Sequence, residues 1–473
     1  LVKTILLTAV FLTEIPLVSS FASVVFKAVL VWGVLYIAYF FFTGPKAFLK
    51  NKYLLITTAF LACFAVSVAL NFRSPELKRN VYIFVVSAVL LLGVFPRYKK
   101  NARTPFSARS GSRGGEGTKA LHGADGFFDG RSALLRELEI MSLAVLILTG
   151  AAAAVSLGMF LFDFSASVEV SDTVFLYGFV EHRLAGVYKT ATCAAPGAGV
   201  CAGVCLAAVA FIKRGPQYKL KLALALFAGL LCFCEVALAN SRALFYALAA
   251  AFGVFAALTV FAAARKRFTR SGELSSGRFT AAAALGAVSL AAASLSTLGL
   301  VKLARYLASW AQPAFLFVIR RLDGPFVRAD LERLAAADGY GELSGRPAIW
   351  RYGLEKFLEK PVFGWGPQTL AGTISTPGGV ESVSHFHNIA VQALVSVGAV
   401  GAVLLAVLFA LRVIRAAGFA LKNTEDAVYP VFAALCAVCV FTLVDGMAEV
   451  TTLFVIVFIP FVYRWASGLL HEL

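Results

Sequence analysis

Apolar runs long enough to cross a bilayer recur from one end of this 473-residue chain to the other. A transmembrane helix needs roughly 20 consecutive, largely apolar residues. The chain is 60% hydrophobic with a mean hydropathy of +0.82, whereas soluble domains are only about half apolar. A soluble fold has nowhere to hide that surface. The runs are rich in Ala, Leu, Val and Phe and lack the dyad alternation of an outer-membrane barrel. The fold class that follows is an all-α polytopic membrane protein.

The spacing predicts twelve transmembrane helices, at about 4–20, 22–42, 53–70, 79–96, 138–162, 194–212, 220–238, 243–263, 280–303, 386–411, 427–444 and 449–466. Glu14 and Pro16 interrupt the first, which reads as a retained helix rather than a leader. The net charge of +17 would suggest nucleic acid in a soluble protein. Here it fits basic loops on the cytoplasmic side, and no nucleic-acid partner is expected.

Connections 43–52, 213–221, 264–278 and 412–422 are basic, and 97–136 adds nine more Lys or Arg in "SARSGSRGGEGTKALHGADG" and its flanks. Alternation then puts both termini in the cytoplasm. Connections 71–78, 163–193, 239–242 and 445–448 fall outside, although "NFRSPELKR" (71–79) is itself basic.

The domain layout is therefore 1–96, helices one to four; 97–137, a basic flexible cytoplasmic linker; and 138–303, helices five to nine. Next comes 304–385, one large extracytoplasmic helical loop domain between helices nine and ten, then 386–473, helices ten to twelve and a cytoplasmic tail. Within the loop domain, "SGRPAIWRYGLEKFLEKP" (344–361) predicts an amphipathic surface helix. Ser344 caps it, Pro347 sits in its first turn, Trp350, Leu354 and Phe357 share a face, and Pro361 stops it. "PVFGWGP" (361–367) reads as a tight turn. The eight cysteines lie almost entirely in apolar runs and read as small buried thiols, not as metal ligands or disulfides.

Charged groups near a membrane core are costly and mark function. Arg183, Glu235, Arg242, His385, His387, Asp445 and Glu449 all fall at predicted outer helix ends, which points to an outward-facing site. Arg183 and Lys189, in "EHRLAGVYKTAT", suit either a juxtamembrane anchor or a phosphate contact. Ser241-Arg242 opens a helix, so Arg242 is either a snorkelling side chain or half of an anion site. In "SHFHNIAVQ", His387 can accept a proton from a hydroxyl. Interfacial hydrogen bonding is the plainer reading for each histidine. His387 and Asn388 diverge by about 100° on a helix, so both reach one small target only where the first turn is irregular.

These residues lie in blocks that resemble one family, the O-antigen ligase-like and polymerase-like membrane proteins of bacterial surface-glycan assembly. The blocks are "RLAGVY" (183–188), "NSRA" (240–243), "SGRPAIWRYGLEKFLEKPVFGWGP" (344–367) and "HNIAVQALVSVGAVGAVLL" (387–405). The resemblance spans roughly 140–460. It departs from the family at 189–192, which read Lys-Thr-Ala-Thr where an Asn-Pro-Asn-like turn is common.

The resemblance implies a metal-independent glycosyltransferase without cofactors. It would move a glycan from an undecaprenyl-diphosphate-linked donor to a glycan or lipid acceptor at the outer face of the cytoplasmic membrane. Ligation, as in lipopolysaccharide assembly, and repeat-unit polymerisation differ only in the acceptor. By motif, Arg183 and Arg242, with Arg346 from the third block, would contact the diphosphate, and His387 would meet the acceptor. Secondary candidates are His385, Asn388, Lys189, Asp445 and Glu449. A lipid-linked glycan transporter or flippase predicts mid-membrane polar residues and inverted repeats; a non-catalytic scaffold predicts normal glycan assembly without His387.

Overall fold

The computed structural model describes residues 2–43, 52–92, 130–170, 173–180, 182–191, 193, 199, 201–203, 205, 218–270, 276–320, 331, 346–370, 372–376, 379–383, 385–422, 424 and 429–447. The linker 97–129, the span 449–466 and Glu449 lie outside these residues, as does most of the span 194–212.

The molecule is mostly helical. In chain order the helices are α1 (Val2–Thr13), α2 (Pro16–Thr43), α3 (Lys52–Leu70), α4 (Leu77–Leu92), α5 (Gly130–Leu161), α6 (Tyr218–Ala239), α7 (Arg242–Arg270), α8 (Ser276–Arg320), α9 (Arg346–Glu359), α10 (Ile389–Lys422) and α11 (Tyr429–Gly446). Among the described residues seven helices are long and apolar enough to cross a membrane: α2, α5, α6, α7, α8, α10 and α11. The chain is a multi-pass membrane protein. The expected first span is divided differently. The helix stops at Thr13, Glu14 and Ile15 form a turn, and Pro16 opens α2, as suits a residue that lacks an N–H to donate.

The all-α expectation is corrected by five strands. Strands β1 (Ser165–Val170), β2 (Thr173–Val180) and β3 (Arg183–Gly186) form an antiparallel sheet in the order β1-β2-β3; β4 (Gly372–Thr376) and β5 (Gly379–Val383) form a hairpin. Both lie in connections, where residues have no helix to supply backbone partners and pair across instead. The α8 helix continues past the expected domain boundary at 304, to Arg320.

Packing fixes the helix directions. Glu139 meets Lys221 and Gly150 meets Ala228, so α5 and α6 run parallel. The Tyr429 hydroxyl donates to the Leu258 carbonyl (3.1 Å), while Leu244, Ala247 and Leu248 share one buried cluster with Val438 and Phe441, so α7 and α11 are antiparallel. Ser294 on α8 donates to the Ala249 carbonyl of α7 (3.0 Å). These contacts gather the α6–α7 turn and the ends of α5 and α11 at one end of the bundle, and Ile389 at the start of α10 lies against Gly446 there.

The α9 helix packs there, but not on the face the sequence suggests. Ile349 and Gly353, one turn apart, are its buried residues; Trp350 and Phe357 are half-buried and Leu354 is exposed. A Cβ on Gly353 would come within 2.6 Å of Val391 and 2.7 Å of Phe386. The approach to α10 is thus so close that the seam follows the glycine rather than the larger apolar side chains.

Candidate active site

The arginine side is built from regular elements. His182, in the left-handed region (φ 60), turns the chain from β2 into β3, and Arg183 follows it. Leu184 is buried against Phe160 of α5 and Leu238 of α6, and the Val187 amide donates to the Ser156 hydroxyl (3.2 Å). With β3 so held, Arg183 Nε donates to the carbonyl of Ala239, the last residue of α6 (3.1 Å). A guanidinium suits that place, because helix C-termini carry unsatisfied carbonyls and partial negative charge.

The chain then reverses within two residues. Asn240 takes the left-handed conformation (φ 51), one of the few non-glycine residues that do so readily. Ser241 follows, its carbonyl accepting from the Phe245 amide (3.2 Å), and Arg242 opens α7 with its side chain exposed. Arg183 and Arg242 thus flank one tight turn, at the positive end of α7. Glu235, one turn below Ala239 on the same face of α6, is buried. Lys189 sits elsewhere. Its amide donates to the Glu14 carbonyl (3.1 Å) and its ammonium lies 3.8 Å from the Glu14 carboxylate, so it ties β3 to the α1–α2 corner.

Asp445 is buried in the last turn of α11. From the Tyr429–Leu258 bond, the same number of residues along each helix reaches Asp445 on α11 and Arg242 on α7. The two are level. Two residues on, the Met447 carbonyl accepts from Asn388 Nδ2 (3.3 Å), which brings the histidine segment to this end of α11.

That segment is not helical. The helix starts at Ile389 rather than at 386, and Asn388 is its N-cap. Asn388 Oδ1 accepts from the Ala390 and Val391 amides at 2.9 and 3.2 Å, satisfying two donors that a helix start leaves open. His387 has φ 48, strained for a residue with a Cβ. This is the irregular first turn under which His387 and Asn388 need not diverge as helix neighbours do. The rings of His385 and His387 are 4.1 Å apart at 60°, and the His387 amide faces His385 Nδ1 at 3.4 Å. Phe386, between them, is buried with Ile349, Val391 and Val395. Arg346 precedes Ile349 by three residues, so it opens the α9 face that packs on Phe386.

Beneath the histidines α10 is broken, and the segment expected as a tight turn fills the break. Gly398 has φ 68 and ψ −176. In an unbroken helix the Val395 carbonyl would take the Ala399 amide, and the Ser396 carbonyl that of Val400. Instead Ala399 and Val400 donate to the carbonyls of Pro361 (2.8 Å) and Val362 (3.4 Å), while Val395 and Ser396 accept from the amides of Trp365 (2.8 Å) and Gly366 (2.9 Å). All four groups find partners, as irregular backbone inside a membrane requires.

A Cβ at Gly364 would run into the Val395 carbonyl, and one at Gly398 into that of Val362. The clasp is tied to α3 and α4. Asn71 donates to the Gly364 carbonyl (3.1 Å) and accepts from Lys360 Nζ (2.5 Å), Ser67 donates to the Ser396 carbonyl (2.7 Å), and Asn80 bonds Thr369 and the Gln368 amide, both at 2.8 Å. Lys360 Nζ also lies 3.8 Å from the centre of the Trp365 ring.

Asn71, Asn80, Gln392, Ser396 and Gly398 carry the clasp without forming a motif of their own in the sequence. The signal was there in part: Gln392 and Ser396 are polar at i, i+4 inside an apolar run, and their partners lie at 67 and 361–367. Among the described residues no group of three or more His, Cys, Asp or Glu could hold a metal ion.

The family model described as O-Antigen ligase matches residues 227–406. That stretch begins in α6 and ends in α10, taking in Arg242, Arg346, His385, His387 and the clasp; Arg183 and Asp445 lie beyond it. No curated protein matches the chain. The match supports the resemblance to an O-antigen ligase-like family over that stretch.

Proposed function

We propose that the chain is a membrane glycosyltransferase of the O-antigen ligase type. It moves an oligo- or polysaccharide from an undecaprenyl-diphosphate-linked donor to an acceptor hydroxyl at the outer face of the cytoplasmic membrane. What supports this reading is that two arginines flank the α6–α7 turn while a strained histidine precedes α10 toward the same end of a membrane-length bundle. The prenyl tail belongs among the helices and the diphosphate at the polar end.

In this reading Arg183, Arg242 and the positive end of α7 hold the diphosphate and offset the charge that grows on it as the bond to the anomeric carbon breaks. Asp445, toward the same end of the bundle, is the carboxylate that would orient the Arg242 guanidinium, and Arg346 adds a third positive group from α9. His387 takes the proton from the acceptor hydroxyl as its oxygen attacks the anomeric carbon from the side opposite the diphosphate, so the configuration inverts. Guanidinium groups do the work a divalent cation does in nucleotide-sugar enzymes, so no metal step is invoked.

The test is transfer by purified protein from a defined lipid-linked donor. The expected result is one glycan joined to a core acceptor, with an inverted linkage, at a rate that EDTA leaves unchanged. A ladder of repeats formed without core acceptor would make the chain a polymerase. Movement of labelled donor across proteoliposomes with no transfer would make it a transporter.

A further inference from the structure

The strained His387 backbone is held on one side by the Asn388 cap, its own amide faces His385 Nδ1, and on the other side it is held through Phe386. The residue before His387 is fixed by Gln392, which lies one turn into α10 with only 9% of its surface exposed. Its Oε1 accepts from the Phe386 amide (3.1 Å). Its Nε2 donates to the Pro367 carbonyl (3.2 Å) and the Ser396 hydroxyl (3.0 Å). One side chain therefore spans three segments: the histidine loop, the end of the inserted 361–367 turn, and the helix just above the break. Ser396 is itself held, since its carbonyl accepts from both Ser67 and Gly366.

We infer that Gln392 is the positioning residue of His387: it transmits the rigidity of the α3–α10 clasp to the histidine loop and keeps His387 in its left-handed conformation. The inference rests on His387 being the proton acceptor for its catalytic meaning, but not for its structural content. A side chain in a sparsely populated backbone conformation stays there only while its neighbours over-determine it. On one side of His387 the neighbour is Asn388, bonded to Ala390, Val391 and Met447. On the other it is Phe386, whose ring is packed on α9 and whose amide has Gln392 as its partner. Released at Phe386, residue 387 relaxes toward negative φ and its ring leaves its place beside His385. A displacement of about 1 Å at a reacting group can cost on the order of 10²-fold in rate.

The test uses the full chain in detergent, with two disrupting variants and one control. Gln392→Met keeps the length of the side chain without its hydrogen bonds, and Gln392→Asn is too short to reach the Phe386 amide. Ser396→Ala removes one Nε2 partner and leaves the Phe386 bond. The first readout needs no substrate: the rate of His387 carbethoxylation by diethyl pyrocarbonate, followed by mass spectrometry, alongside thermal unfolding.

A several-fold change at His387 in either Gln392 variant, with Ser396→Ala at the wild-type rate, supports the inference. The second readout is transfer, with a fall in kcat of about 10²-fold, unchanged donor KM and an altered pH profile. Lowered unfolding temperature with wild-type His387 reactivity overturns it, since Gln392 would then be packing alone. If His387 reactivity shifts but the wild-type protein transfers no glycan, the positioning role stands and the proposed function falls.

Discussion

The two halves of the candidate site are built by opposite means. The arginine half stands on regular structure: a β-strand pinned to α5 and α6, two helices joined by a two-residue turn, and a guanidinium on a helix-end carbonyl. The histidine half stands on irregular structure: a left-handed residue, a capping asparagine and a broken helix whose gap another segment fills. A group that holds an anion tolerates a wide approach, because Coulomb attraction falls off slowly. A group that takes a proton must lie within hydrogen-bond reach of it. Geometric precision is concentrated in the half where the chemistry demands it.

The largest expected effects separate the halves by kinetic signature. His387→Ala removes the base and should lower kcat by roughly 10²–10⁴-fold, leaving the donor KM near wild type. Arg242→Ala should lower kcat by about 10²–10³-fold through lost charge stabilisation, and raise the donor KM as well. Both proteins should unfold at the wild-type temperature, since His387 is half-exposed and Arg242 exposed. A raised donor KM in His387→Ala would break the comparison by moving His387 into the anion-holding half. His385→Ala should be milder; a dead His385→Ala beside an active His387→Ala would exchange their roles.

Next in size comes the clasp. Gly398 occupies a backbone region that is essentially glycine-only, and Ala there should cost about 1–3 kcal/mol in strain before the collision with the Val362 carbonyl. Gly299, in the exposed face of α8 with nothing near its Cβ position, is the control: Ala there should leave thermal unfolding unchanged or slightly raised. Equal behaviour of the two variants in a thermal melt would mean that α10 heals its break in solution. The histidine half would then lose the support that sets it apart.

Much of the helical frame was legible because apolar runs of bilayer length admit few other folds. Glu235, Arg242 and Asp445 stood out for the same reason and lie near helix ends, whereas Arg183 lies in β3 rather than at a helix end. What was not legible depended on partners remote in sequence. "PVFGWGP" reads as a turn from its own residues; only the open carbonyls of Val395 and Ser396 make it an insert. Asn71 lies in a basic connection that looked like an exception to the charge rule, and it proves to brace that insert. Leu354 fits an amphipathic pattern, yet the seam of α9 follows Gly353, because the closest approach of two helices is set by the smallest side chain. The strands at 165–186 were hidden among connection residues, where no helix pattern competes and pairing is decided by what lies across.

The smallest expected effect marks the edge of the arginine half. Lys189 and Arg183 lie six residues apart in "EHRLAGVYKTAT", where residue type alone lets each be an anchor or an anion contact, although only Arg183 falls in the family block. The structure treats them differently: Arg183 reaches the α6–α7 turn beside Arg242, while Lys189 faces Glu14 at the α1–α2 corner. The Lys189–Glu14 pair, at 3.8 Å and partly open to solvent, should contribute at most about 1 kcal/mol. The backbone bond from Lys189 to the Glu14 carbonyl survives any side-chain change. Lys189→Ala should therefore keep transfer within a few-fold of wild type and lower the unfolding temperature slightly, and Glu14→Gln should do the same. A Lys189→Ala protein that is folded but has the raised donor KM of Arg242→Ala would show that the anion field extends along β3 to the α1–α2 corner. Glu14 would then hold a ligand-binding lysine in waiting rather than close a structural tie, and its own removal should strengthen donor binding instead of leaving it unchanged.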